Sequence, residues 1–196
     1  MARPSIKEER LAQILQALQR CVAKHGIEGS TLERIAEEAG LKRSLVRHFA
    51  GNRDELVMRL ADKVVLESLE QWREFLRYLP AKNCGPLLLD GLFDQSHSDP
   101  EYVLVIESLI FAAGRDAPLR EKMCHWLNQF DAELRDLLRR DYPRAEEQAL
   151  GCASFGIISL YFNLDSLSPL GVADHYRGSA RQGAQYFLDM LASADR

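Results

Sequence analysis

Apolar positions recur at three- and four-residue steps along nearly the whole chain, the spacing of one face of an α-helix. Leu11, Ile14, Leu15, Leu18 and Val22 form one stripe of a helix predicted from about Ser5 to His25. Gly26 follows and can take the left-handed conformation that ends a helix. Ser30 with Glu33 three residues later fits a capping box, so a second helix carrying Leu32, Ile35, Ala36 and Ala39 is expected to start there and stop at Gly40. A third, short helix covers about Lys42 to Ala50. Gly51-Asn52 breaks it, and Asn52 is placed to cap a fourth helix from Arg53. That helix keeps an apolar stripe through Leu56, Leu60, Val64, Leu69, Trp72, Phe75, Leu76 and Leu79, a span of roughly 40 Å before Pro80. After a turn cluster at 80–86, further helices are predicted over about 87–96, 101–114, 118–142, 144–167 and 173–193. Strand-like alternation is nowhere convincing. The pattern predicts an all-α protein of about nine helices, with a three-helix head over residues 1–52 and a helical body over 53–196.

Composition narrows the classes. The chain has 196 residues, 46% of them hydrophobic and 28% charged, with a net charge of −4, which suits a globular chain able to bury a core. No apolar run approaches the ~18 residues of a membrane span, and the N-terminal residues hold no apolar secretory signal, so no membrane partner and a cytoplasmic location are expected. Cys21, Cys84, Cys124 and Cys152 are scattered without zinc spacing, and His25, His48, His97, His125 and His175 lie far apart. Reduced, buried thiols, no metal site and no cofactor are the expectation. Gly-x-Ser-x-Gly, Gly-x-x-x-x-Gly-Lys-Ser/Thr and His-Glu-x-x-His are all absent, and Ser154 in Gly-Cys-Ala-Ser-Phe-Gly has the wrong spacing for a nucleophile elbow. An enzyme is not expected.

The mean charge hides an asymmetry. Residues 1–60 carry eleven basic against eight acidic side chains, which leaves the remainder at −7. A basic head on an acidic body points to a polyanion at the head. The two short helices joined by Ala39-Gly40-Leu41 form a helix-turn-helix candidate, with small Ala36 allowing close approach and Gly40 making the turn. On the third helix Leu41, Leu45, Val46 and Phe49 are expected to face the core. Arg43, Ser44, Arg47 and His48 then share one polar face. Lys42, Arg43, Arg47 and Arg53 are the charged residues from 40 to 53, with no acid among them. Arginines there suit guanine edges in a major groove, and the flanking cations suit phosphates. A solvated face on an ordinary helical hairpin is the alternative that the charges alone leave open.

The composite Gly26, Thr31, Ile35-Ala36, Ala39-Gly40-Leu41, His48-Phe49, Arg53 and Leu56 resembles the DNA-binding domain of the TetR family of bacterial transcriptional regulators, in register without a gap over residues 10–56. The resemblance implies an all-helical homodimer with a DNA-binding head and a body that takes a small-molecule effector. It implies a phosphate contact for Thr31, recognition-helix roles for Arg43, Ser44, Arg47 and His48, and a phosphate contact for Arg53 at the start of the fourth helix. Arg3 and Lys7 are candidates for added tail contacts. Arg47 stands where the family often has tyrosine and Ala50 where it often has phenylalanine, so no operator sequence is carried over.

The body is rich in aromatic and apolar side chains with a few polar ones between them, the character of a small-molecule pocket. Trp72, Phe75, Glu107, Phe111, Trp126, Phe155 and Asn163 are the candidate lining, with Glu107 the candidate anchor; core packing is the alternative for each aromatic. Small residues in the last two helices suggest self-association, through Gly156, Gly183, Ala184, Phe187, Leu188 and Leu191. Packing within one chain is the alternative, while the resemblance implies a four-helix bundle between two copies. The expected function is a DNA-binding transcriptional regulator, most often a repressor in its family. It would bind a palindromic operator as a dimer and be released by an effector. The competing reading is a helical ligand-binding or interaction protein that does not bind DNA.

Overall fold

A computed structural model of the chain describes residues 5–94 and 99–195. Among these residues there are nine α-helices and no strand: α1 Ile6–Gly29, α2 Leu32–Glu38, α3 Arg43–Ala50, α4 Arg53–Tyr78, α5 Gly85–Leu92, α6 Pro100–Ala113, α7 Ala117–Asp141, α8 Glu147–Ser166 and α9 Ala173–Ala194. The expected all-α architecture is met. The expected tail contact at Arg3 and the expected end of the fifth helix at residue 96 lie outside the described residues.

Packing divides the chain into two compact units. One runs through to Glu67 and takes in Leu104–Met123; the other holds Ser68–Val103 and the chain from Cys124 onward. In the first unit, Ser5 and Glu8 form a reciprocal capping box at the start of α1. Gly26, at φ +66°, breaks that helix as expected, leaving one further turn to Gly29. The cap of α2 differs from expectation. Thr31, not Ser30, accepts the Arg34 amide at 3.3 Å. Ser30 is buried and donates its hydroxyl to the Gly26 carbonyl at 2.7 Å, meeting an acceptor that the α1 break would otherwise leave unpaired. The turn after α2 closes through Gly40 N–H to Glu37 O at 3.0 Å and Leu41 N–H to Ala36 O at 2.9 Å, with Gly40 at φ +64°. Asn52 caps α4 by accepting the Glu55 amide at 2.9 Å. The core of this unit includes Ile14, Leu18, Ile35, Val46, Leu56, Leu60, Leu109 and Leu119.

In the second unit, Trp72, Leu88, Leu89, Phe130, Leu134, Leu137, Leu138, Leu150, Ile157, Leu188 and Leu191 share one core. The fifth helix starts earlier than predicted. Gly85-Pro86 opens its first turn, where proline loses no helical hydrogen bond. The Asp141 carboxylate accepts from the Asn83 and Cys84 amides at 2.8 and 2.7 Å, tying the end of α7 to the start of α5. Burial, with Asp141 beside it, pushes the Cys84 thiol up to about 12. Cys21 is also buried, whereas Cys124 and Cys152 are exposed, so only two of the four thiols match the expected burial. A maleimide reagent should therefore modify Cys124 and Cys152 in the folded protein and reach Cys21 and Cys84 only on unfolding, read by peptide mass after timed labelling. By length and composition one helical stretch, Glu147–Leu170, is apolar enough to cross a bilayer, a signal the run-based reading missed because polar residues interrupt it. Its buried side, Leu150, Ala153, Ile157 and Leu164, packs in the core of the second unit.

Candidate nucleic-acid interface

The head places α2 and α3 as a helix-turn-helix, fixed to α1 by short-range chemistry. Gln13 donates to the Ala39 carbonyl at 2.7 Å, inside the turn between the two helices. Arg20 and Lys24 of α1 both reach Glu38 of α2, at 2.5 and 3.6 Å, and hold its carboxyl below the usual carboxylate range. Val46 and Ala50 are the buried residues of α3, and they lie four apart on one narrow stripe. Apart from half-buried Phe49, the rest of the helix faces outward. Ser44, Arg47 and His48 are exposed, and so is Lys42 just before the helix. Arg47 and Lys42 make no ion pair among the described residues.

Two sequence expectations for α3 need correction. Leu45 does not enter the core; it is 40% exposed, because the packed side of this short helix is the Val46 and Ala50 stripe, with Phe49 half-buried beside it. Nor is the basic face free of carboxylates. Glu33 of α2, outside the sequence window, pairs with Arg43 at 2.9 Å. Both partners are well exposed, so the pair is weak and can exchange for a phosphate at little cost.

Thr31 is exposed at the start of α2. Arg53 is placed differently from a free surface cation. Its guanidinium donates to the Ile27 carbonyl at 2.6 Å and to Glu28 at 3.3 Å, bracing the start of α4 against the last turn of α1. The turn at Asp116–Pro118 lies across a groove of about 480 Å³ from Met58 and Arg59 of α4, and Lys122 binds Asp62 there. That turn therefore faces the first half of α4.

The family model described as "Bacterial regulatory proteins, tetR family" matches residues 14–60, from the middle of α1 to the second turn of α4. The HTH-type transcriptional repressor AcnR of Corynebacterium efficiens is 39% identical over 49 residues, 25% of this chain and 26% of the relative. Residues 14–60 thus form a tetR-type DNA-binding domain. The match to that curated relative spans about a quarter of its length. The fold likeness runs further. A transcriptional regulator from Pseudomonas aeruginosa PAO1 superposes with a TM-score of 0.81 at 22% identity, covering 96% of this chain and 93% of that one. FadR from Bacillus subtilis, in a structure with stearoyl-CoA, gives a TM-score of 0.66 at 18% identity, covering 93% and 98%.

In the second unit the aromatics form a contiguous cluster. The Trp72 and Phe130 rings meet at 4.5 Å, Trp72 and Phe75 at 5.8 Å, Phe130 and Phe162 at 5.9 Å, and Trp126 and Phe162 at 5.7 Å. Of the candidate lining, Trp72, Phe75 and Trp126 belong to it. Phe155 is 71% exposed and Asn163 is exposed on the outer side of α8, so neither lines an enclosed site in the single chain. In the first unit Glu107 is exposed and Phe111 is 72% exposed, with Arg115 over its ring. The helical period that grouped these residues could not distinguish the inward side of α6 and α8 from the outward side.

The polar groups inside the cluster are different ones. The Trp72 indole N–H is buried with no partner among the described residues, while that of Trp126 donates to Ser68 at 3.1 Å. Tyr161 hydrogen-bonds the Asp165 carboxylate, and burial raises the Asp165 pKa against the opposing effects of Tyr161 and Arg177. Neither residue stood out in the sequence, because Asp165 reads as a helix-end acid. A carboxyl whose pKa is raised on folding binds its proton more tightly in the native state. Stability then falls as pH rises from the ordinary carboxylate range through the folded value. Asp165→Asn should raise the melting temperature at pH 7, with the gain shrinking as the pH falls toward about 4, measured as the difference between variant and parent.

Within the single chain, the residues expected at a dimer interface pack between α8 and α9. Ala184, Leu188 and Leu191 are buried in the core of the second unit. Gly156 admits the Phe187 ring, which would lie 2.2 Å from an added Cβ, and Gly183 faces Leu160 at 3.1 Å. The pairs 156/187 and 160/183 run in opposite directions, so the small residues allow close antiparallel packing of α8 on α9. The outward side of the two helices carries other side chains. On α8 it carries Cys152, Phe155, Ser159 and Asn163; on α9 it carries Tyr176, Tyr186 and Met190. Phe155 is 71% and Tyr186 64% exposed.

Proposed function

We propose that this protein is a DNA-binding transcriptional regulator that acts as a dimer on a palindromic operator and is released by a small-molecule effector. The observation that carries the reading is the outward face of α3, on which Ser44, Arg47 and His48 stand exposed beside Lys42, on a helix-turn-helix of the tetR family. Arg47 reads base edges in the major groove. Lys42, Arg43 and Thr31 meet phosphates, and Arg53 supports them by fixing the turn between α1 and α2. For function the division remains a DNA-binding head over 1–52 and an effector-binding and dimerising body over 53–196. Repression is the regulatory sense favoured by the AcnR relatives, which are repressors.

The second copy docks on the outward side of α8 and α9, where Phe155, Tyr186 and Met190 form an exposed apolar surface. The effector enters at the aromatic cluster, where the unpaired Trp72 N–H offers a donor. FadR, held with stearoyl-CoA, supports a small molecule in a body of this fold. Coupling runs along α4, which carries Arg53 at one end and Trp72 and Phe75 toward the other. A tenfold loss of DNA affinity needs only about 1.4 kcal/mol of differential effector binding.

The test is a gel shift with the DNA upstream of the protein's own gene and a scrambled duplex, at fixed salt. A retarded complex on the first duplex alone supports the reading. A compound that quenches the fluorescence of the two tryptophans should then dissolve that complex. Retardation of neither duplex favours the helical ligand-binding protein that does not contact DNA, and equal retardation of both contradicts recognition of a specific operator.

A further inference from the structure

Leu45 lies in the first turn of α3 and is 40% exposed. An exposed leucine is ordinary on most protein surfaces. This one is unusual in its setting, because every other exposed residue of α3 is polar or charged: Arg43, Ser44, Arg47 and His48. At 100° per residue Ser44 sits near the centre of the exposed arc. Arg43 and Leu45 then occupy its opposite rims, and His48 stands one turn beyond Leu45 on the same side. The two rims differ in chemistry. Arg43 is drawn to Glu33 at 2.9 Å, while the Leu45 side is apolar, with His48 turned edge-on to the Phe49 ring at 4.9 Å.

We infer that Leu45 is a specificity-determining residue that contacts the C5-methyl group of a thymine in the operator. The inference rests on the DNA-binding reading above. The first residues of a recognition helix approach base edges most closely, and Leu45 is in that turn. Thymine is the one base that presents an apolar group in the major groove, and it is read by apolar contact. The cations around Leu45 bring a polyanion to this face, and an apolar group at its rim finds few other complements on a duplex. Arg47 and Leu45 then divide the readout, Arg47 selecting by hydrogen bonds and Leu45 by the methyl group.

The experiment uses the full-length protein and the best-bound duplex recovered from a randomised pool. Each thymine of one half-site is replaced in turn by deoxyuridine, which removes only the methyl group, and affinities are measured at fixed salt for the parent and for Leu45→Ala. The expected result is one thymine per half-site at which deoxyuridine weakens the parent about fourfold, the worth of one buried methyl group. Leu45→Ala, whose exposed position leaves the core untouched, should bind the two duplexes equally. The inference is overturned if no thymine is sensitive in the parent, or if the sensitivity survives in Leu45→Ala. Recovery of no preferred duplex at all would defeat the DNA-binding reading itself, which separates the two failures.

Discussion

Arg47→Ala will keep its fold and lose discrimination at one or two base pairs of the operator, at a cost of about 1–3 kcal/mol, or roughly 5- to 150-fold in affinity. The fold is safe because the side chain is exposed and has no partner ion among the described residues. The loss is local because a guanidinium paired with one guanine edge says nothing about neighbouring pairs. Affinity for unrelated duplexes will change by much less. Arg53→Ala offers the contrast. Its guanidinium holds the Ile27 carbonyl and Glu28, so its removal loosens the start of α4 and lowers binding to all duplexes alike. Binding profiles of the two variants against a set of single-pair operator changes check both. An unchanged profile for Arg47→Ala would remove α3 from base readout.

Phe155→Glu and Tyr186→Glu will each give a folded monomer whose operator affinity is about a hundredfold or more below that of the parent. Both side chains are mostly exposed in the single chain, so a glutamate there meets water and leaves the core of the second unit intact. Across a two-fold axis the same residue recurs near its copy, and each protomer then brings a charge into an apolar seam. Two heads joined in one dimer raise the effective concentration of the second at its half-site by orders of magnitude, and monomers forfeit that gain. Sedimentation reports the mass, and maleimide reports the surface, since Cys152 on the same side of α8 becomes faster to label in the monomer. Gly156→Leu behaves differently. Its side chain collides with the Phe187 ring and lowers the melting temperature of the protomer itself.

The head was legible because its signals are local. Gly26 and Gly40 take the positive φ their positions suggested, Asn52 caps α4, and Ala36 closes the turn through its carbonyl to Leu41. What escaped depends on neighbours distant in sequence. Glu33 reaches Arg43 from another helix, and Ser30 is drawn to the Gly26 carbonyl, leaving the cap to Thr31. In the body, periodicity finds an apolar stripe without telling which partner covers it. Leu188 and Leu191 are covered by their own chain, while Phe155 and Tyr186 are left outside. The aromatic cluster was visible as composition, through Trp72, Phe75 and Trp126. Its polar members, Tyr161 and Asp165, emerge only when α8 folds against its neighbours.

Hydroxyl-radical footprinting of the wild-type protein on its preferred duplex tests the central claim most directly. A dimer on a palindromic operator gives two protected stretches related by a dyad, on one face of the duplex, with centres one helical turn or about 34–36 Å apart, and Phe155→Glu loses them. A single protected stretch unaffected by Phe155→Glu, or a duplex cut as evenly with the protein as without it, would contradict it.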